Sequence, residues 1–189
     1  LTITPRIWNI PYRIYYMSCN LDHALYGKLN SSDAEKEYDA FAFAKKYNVI
    51  LLHDNAYSDI IFGGKEGKSF LSYPGAMEVG IEFYSLSKSY NMTGMRISFA
   101  LGNKDVIQMF RKVRSQIDYG IFLPIQKAAV AALTGPQDNV KEQCRIYEER
   151  NYALCRGMSS IGWKIPDGQG TMFVWAPIPE NYTSSERFT

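Results

Sequence analysis

Unbroken apolar runs recur along the chain, and polar or glycine-containing stretches separate them. Val49-Ile50-Leu51-Leu52 is a continuous aliphatic run without alternation, the pattern of a strand buried on both faces. It stops at His53-Asp54-Asn55-Ala56-Tyr57. Residues 79–84 and 97–101 are two further strand-like runs, and they bracket the short polar stretch from Ser85 to Arg96. That stretch reads as an active loop held between buried strands. Ahead of the first run, Ser31-Ser32-Asp33 followed by Ala34-Glu35 predicts a capped helix start, with apolar positions continuing to Tyr47. After the last of these runs the pattern predicts helices over 104–116 and 124–133. Gly135-Pro136 breaks the chain, and a long third helix follows to about Ser160.

The two ends are less regular. Aromatic and apolar clusters at 7–12 and 14–17 predict one or two short strands. Residues 162–166 and 171–175 are expected as strands joined by a glycine-rich turn, and Ser184-Ser185-Glu186 as another helix start. Loops are expected at 62–68, rich in glycine and lysine, and at the Ser72-Tyr73-Pro74-Gly75 turn. Strands alternating with helices mean an α/β chain with a mostly parallel sheet.

Composition narrows the classes without naming one. The chain has 189 residues, 46% hydrophobic and 21% charged, an ordinary globular balance that argues against disorder. A formal net charge of +2 without a dense Lys/Arg stripe gives no case for nucleic acid, and no apolar run approaches membrane-spanning length. Cys19, Cys144 and Cys155 are odd in number, far apart and without metal spacing, which reads as reduced thiols in a cytoplasmic protein. The opening Leu1-Thr2-Ile3-Thr4-Pro5 lacks the regions of a secretory signal, and without an initial methionine the chain reads as a piece of something larger.

The chemistry gathers at two strand ends. Asp54 lies at the C-terminal end of one buried strand, where open α/β sheets place their ligand sites, and Tyr57 is three residues on. Lys88 and Arg96 follow a second strand, with hydroxyls at Ser85, Ser87 and Ser89. Lysine, hydroxyls and arginine together suggest an amine nucleophile beside a phosphate site. Singly, each has a plainer reading: a strand-end aspartate is more often a helix cap, and a lone lysine is usually solvated. His53 adjoins Asp54, but alternation points the two to opposite faces, so a packed core histidine is the expectation. Trp163, Phe173 and Trp175 read as core of a small domain, and Arg111, Lys112 and Arg114 as a solvated helix face. His23 has no evident partner.

Asp54-x-x-Tyr57, then Ser85-Leu86-Ser87-Lys88, then Thr93-Gly94-Met95-Arg96 resemble, in order and spacing, the class I/II aminotransferases, and most of all their bacterial diaminopimelate and aromatic branches. The resemblance covers about residues 40 to 183. It implies a three-layer α/β/α large domain binding pyridoxal 5'-phosphate, partial here over 1–135, then an interdomain helix and the beginning of a small domain over 136–189. It also implies the roles. Lys88 would form the Schiff base with the cofactor aldehyde and then move the substrate's α-proton, its place beside Arg96 favouring the neutral amine. Asp54 would pair with the pyridine nitrogen and keep it protonated, and Tyr57 would hydrogen-bond the ring oxygen. Ser85 and Arg96 would hold the phosphate, with Ser87 as a further hydroxyl.

The implied activity is transfer of an amino group between an amino acid and a 2-oxo acid, by a homodimer in the full-length protein. A carbon–sulfur β-lyase on the same fold would use the same anchors. A non-catalytic regulatory domain binding the same cofactor is a third reading, and residues 1–30 are too short and too aromatic for the winged-helix segment it needs. The family's Asn-Pro-x-Asn-Pro-Thr-Gly stretch, its N-terminal half and its distal carboxylate-binding arginine have no match here. The chain therefore reads as the cofactor-anchoring part of the fold.

Overall fold

A computed structural model of the chain describes the backbone of residues 13–18 and, with side chains, residues 41–179 and 182. Its sheet has four strands in the order β1 (Arg13–Ser18), β2 (Val49–Asn55), β3 (Gly80–Ser85) and β4 (Ser98–Gly102). The first three are parallel and β4 runs antiparallel to β3. The helices are α1 (41–47), α2 (Ala76–Val79), α3 (Leu86–Ser89), α4 (Lys104–Arg114), α5 (Leu123–Thr134) and α6 (Asp138–Ser160). The expected α/β alternation and mostly parallel sheet are therefore present. The cluster at 7–12, the helix starts at Ser31–Asp33 and Ser184–Glu186, Cys19 and His23 lie outside the described residues.

Side-chain alternation sorts the sheet into two faces. On β2 the buried positions are Val49, Leu51, His53 and Asn55, while Ile50, Leu52 and Asp54 are half-buried. The run expected to be buried on both faces is thus fully buried on one. That face packs with Phe41 and Ala44 of α1, Phe70, and Ala76 and Val79 of α2. On the other face Phe83 of β3 meets Phe110 of α4, ring centroids 5.7 Å apart, so helices cover both sides of the sheet. Gly80 opens β3 because a Cβ there would collide with the Phe70 ring.

His53 is a core histidine, as its position predicted. Its ring Nδ1 lies 2.8 Å from Glu82 Oε2 on the neighbouring strand, and both residues are buried. Glu82 also accepts from the Ser69 hydroxyl at 2.9 Å and the Phe70 amide at 2.8 Å. Burial alone would raise the Glu82 carboxyl, but hydrogen bonds from His53, Ser69 and Asn55 outweigh it and hold the group below its ordinary value of 4.5. A depressed carboxylate adds stability above its unfolded-state pKa and loses it as pH falls through the folded one. Urea melts taken downward from neutral pH should therefore show stability dropping in the acid range. In Glu82→Gln that drop should be shallower, and an equally steep one would remove Glu82 from the account.

Three expectations are corrected. The stretch from Ser85 to Arg96 is not a loop throughout, since it holds α3 and a 3-10 turn at Thr93–Met95. The Ser85 hydroxyl accepts the Ser87 amide at 3.2 Å, capping α3 and making a helical turn the favoured path. Residues 162–166 and 171–175 form no strand ladder. They are tied down instead by an isolated bridge between Ile61 and Gly170, with the Thr171 amide donating to Ile60 O at 2.7 Å. Without a partner strand among the described residues, Phe173 and Trp175 do not make a core either, being 53% and 80% exposed. Arg111 and Lys112 are solvated in the last turn of α4 as expected, whereas Arg114 pairs with Asp118 at 3.0 Å.

Candidate active site

Three elements converge on one place. β2 delivers Asp54 on the face opposite His53, and the turn after it delivers Tyr57, closed by the Ile60 amide donating to Tyr57 O at 2.9 Å. β3 runs straight into α3, which carries Lys88. The Lys88 Nζ stands 5.9 Å from the centre of the Tyr57 ring, over its face. Burial, and second the nearby Asp54 carboxylate, push the Tyr57 phenol above its usual pKa, which keeps it a hydrogen-bond donor at neutral pH. An amine, a phenol and a carboxylate from two separate strand ends therefore share one site. Burial separates Asp54 from Arg96, half-buried against exposed.

The hydroxyls and the guanidinium belong to the same stretch of chain, from the end of β3 to Arg96. Ser85 caps α3 as an acceptor, which leaves its own proton available for another partner. The Ser87 carbonyl accepts the Thr93 hydroxyl at 2.8 Å, and the Arg96 guanidinium donates to the Thr93 carbonyl at 3.1 Å. Arg96 is in the left-handed region, φ 53° and ψ 49°, which an arginine adopts at a cost of about 1–3 kcal/mol. Strain of that kind concentrates where a side chain must be aimed.

Several contributors carried no signal in sequence spacing. Phe173, expected in a small-domain core, lies edge-on against Tyr57 with centroids 5.5 Å apart. The Lys88 carbonyl accepts from the Gln143 side chain of α6 at 2.8 Å. Asp59 Oδ2 accepts the Tyr84 phenol at 2.6 Å and the Ser89 hydroxyl at 2.5 Å. Tyr90 donates to Gln137 Oε1 at 2.8 Å. Beneath the turn, Leu86 is fully buried with Ile97 and Ala129, a burial worth roughly 1.5–3 kcal/mol for a leucine. The turn that carries the lysine is anchored at its base.

The ends of two strands of an α/β sheet thus present a lysine, a tyrosine and an aspartate to one site. The family model for aminotransferase class I and II matches residues 33–188, and the chain belongs to that family. It is 48% identical over 143 residues to an LL-diaminopimelate aminotransferase of Moorella thermoacetica, covering 76% of this chain and 37% of that protein. It is 43% identical over 143 residues to the glutamate-pyruvate aminotransferase AlaC of Escherichia coli, covering 76% of this chain and 35% of that one. In structure it is similar to apo-BacF from Bacillus subtilis, with a TM-score of 0.80 at 36% identity over 93% of this chain and 46% of that chain. The chain thus spans less than half the length of each. The match begins a little before residue 40 and runs a little past 183, wider than the motifs alone implied.

Proposed function

We propose that this chain is the cofactor-anchoring part of a pyridoxal-phosphate-dependent aminotransferase that moves an amino group between an amino acid and a 2-oxo acid. The observation carrying this reading is the Lys88 amine held 5.9 Å over the Tyr57 ring. The group fits the residues present. Asp54 supplies a carboxylate for a ring nitrogen, and Tyr57 a protonated phenol for a ring oxygen. Ser85 and Arg96 supply a hydroxyl and a planar guanidinium suited to a phosphate, with Ser87 beside them. Pyridoxal phosphate, when bound, supplies an electron sink for the carbanion left by loss of the substrate's α-proton. The chain's own part is to hold the ring, keep its nitrogen protonated and accept that proton at Lys88 Nζ.

The names of the relatives point to diaminopimelate or a small amino acid paired with a 2-oxo acid as substrates. Gly135-Pro136, ahead of α6, is the boundary we assign between a large domain over 1–135 and the start of a small one over 136–189. A cytoplasmic homodimer belongs to the same reading. No helix among the described residues is long and apolar enough to cross a membrane.

The test is an absorption titration with pyridoxal phosphate, on the 189-residue chain and on a version extended to the length of its relatives, followed by borohydride reduction and peptide mapping. A visible band fixed onto Lys88 supports the reading, and label spread over surface lysines in both versions would refute it. Product analysis then separates transfer, which makes a 2-oxo acid and a new amino acid, from β-elimination, which makes ammonia and pyruvate. Arg96→Ala should weaken cofactor binding about ten- to hundredfold, the equivalent of a charge-assisted hydrogen bond worth about 1.5–3 kcal/mol. Unchanged affinity by titration would take Arg96 out of the phosphate site.

A further inference from the structure

The turn 57–60 and the helical turn α3 are joined by one side chain. Tyr57 and Asp59 sit in the first, and Lys88 and Ser89 in the second. Asp59 Oδ2 accepts both the Ser89 hydroxyl, at 2.5 Å, and the Tyr84 phenol, at 2.6 Å. Ser89 is buried, and the adjacent Lys88 reaches out over Tyr57. The bond from Asp59 to Ser89 therefore begins two residues from the phenol and ends one residue from the amine. From Asp59 the ties run on through Tyr84 to the C-terminal end of β3. Burial, and then the hydrogen bond to Asp59, push the Tyr84 phenol strongly upward, so it stays a donor.

Resting on the functional reading above, we propose that Asp59 is a positioning residue for Lys88, fixing the distance between the lysine amine and the Tyr57 ring by clamping α3 to the turn that carries Tyr57. The alternative origin of these bonds is general stabilisation of the fold. Two features speak for the specific role. Both hydroxyls converge on a single oxygen, so one acceptor sets two elements at once. The far side of the lysine turn is held separately, with Gln143 donating to the Lys88 carbonyl and Tyr90 bonded to Gln137. Losing Asp59 would thus let the turn pivot about α6 without releasing it.

Because one oxygen does the work, Asp59→Asn keeps an acceptor in place and Asp59→Ala removes it. Two readouts are needed. The first is the rate at which pyridoxal phosphate becomes reducible onto Lys88. The second is acetylation of Lys88 relative to the other lysines in the cofactor-free chain, by mass spectrometry. Asp59→Ala should slow attachment roughly tenfold, within the range that displacements of about 1 Å produce at reacting groups. Acetylation of Lys88 should change in the same variant, and Asp59→Asn should stay within about twofold of the parent on both readouts. A merely structural role would lower the melting temperature while leaving both readouts of the folded fraction unchanged, and that result overturns the proposal. Should Asp59→Ala fail to fold, Ser89→Ala removes one donor and should still slow attachment about threefold; parent-like attachment there also overturns it. If neither the 189-residue parent nor its extended version takes cofactor onto Lys88, the functional reading fails and the positioning role fails with it. Parent attachment with unaffected variants sinks the positioning role alone.

Discussion

Lys88→Ala is expected to abolish covalent retention of pyridoxal phosphate. The expectation rests on geometry as well as on residue type, because lysines are common on this chain and only a placed one can serve. Lys45, by contrast, pairs with Glu78 at 2.8 Å on the surface. Lys88 is half-buried, backed by a fully buried Leu86 and tethered at its carbonyl by Gln143. Its amine stands over a phenol that burial and Asp54 keep protonated. An attached cofactor would thus meet a donor at once, whereas on a surface lysine it would meet water. After borohydride reduction the parent should carry one cofactor on the peptide containing Lys88, and the variant none above background. Label of parent-like stoichiometry in the variant would show that the amine is not the attachment point. The change removes a half-buried side chain from a turn held by the buried Leu86 and by hydrogen bonds of its backbone and hydroxyls, so the melting temperature should barely move.

The comparison of pattern with structure divides along the same line as local and non-local interactions. Asp54, Tyr57 and Lys88 could be placed from the sequence because each follows an apolar run whose end is legible in the order of residues. The opposite orientation of His53 and Asp54 followed from strand alternation alone. What could not be read were bonds across 25 to 55 positions: Tyr84 and Ser89 to Asp59, Tyr90 to Gln137, Gln143 to the Lys88 carbonyl. Nothing in the spacing of a glutamine on a long helix says which carbonyl it will meet. The misread strands at 162–175 fail for a related reason. Trp, Phe and Val favour strands when a pleated neighbour is there to receive them, and β propensity has little force of its own. Here the segment meets the turn 57–62 through two backbone bonds, and Phe173 is spent on Tyr57. The helical turn within 85–96 was hidden by its length, four residues with a serine cap being too short to show a period.

Asp54 offers a second large effect, with a readout that needs no cofactor. Its carboxylate is one of the two causes that raise the Tyr57 phenol, burial being the larger. A negative charge beside a phenol disfavours the phenolate, so removing it must lower the Tyr57 pKa, though not to the ordinary value while burial persists. In the cofactor-free Asp54→Asn chain, ultraviolet titration should find one tyrosine ionising at lower pH than in the parent. The same substitution should weaken pyridoxal phosphate binding roughly ten- to hundredfold, the range set by one charge-assisted hydrogen bond. The two results depend on different neighbours of Asp54. A tyrosine shift without loss of affinity would leave the carboxylate beside Tyr57 but away from the ring nitrogen. Lost affinity without a shift would break the coupling between Asp54 and Tyr57 instead. Only both together make the pair a single device, in which the charge that would hold the ring nitrogen also keeps the Tyr57 phenol protonated.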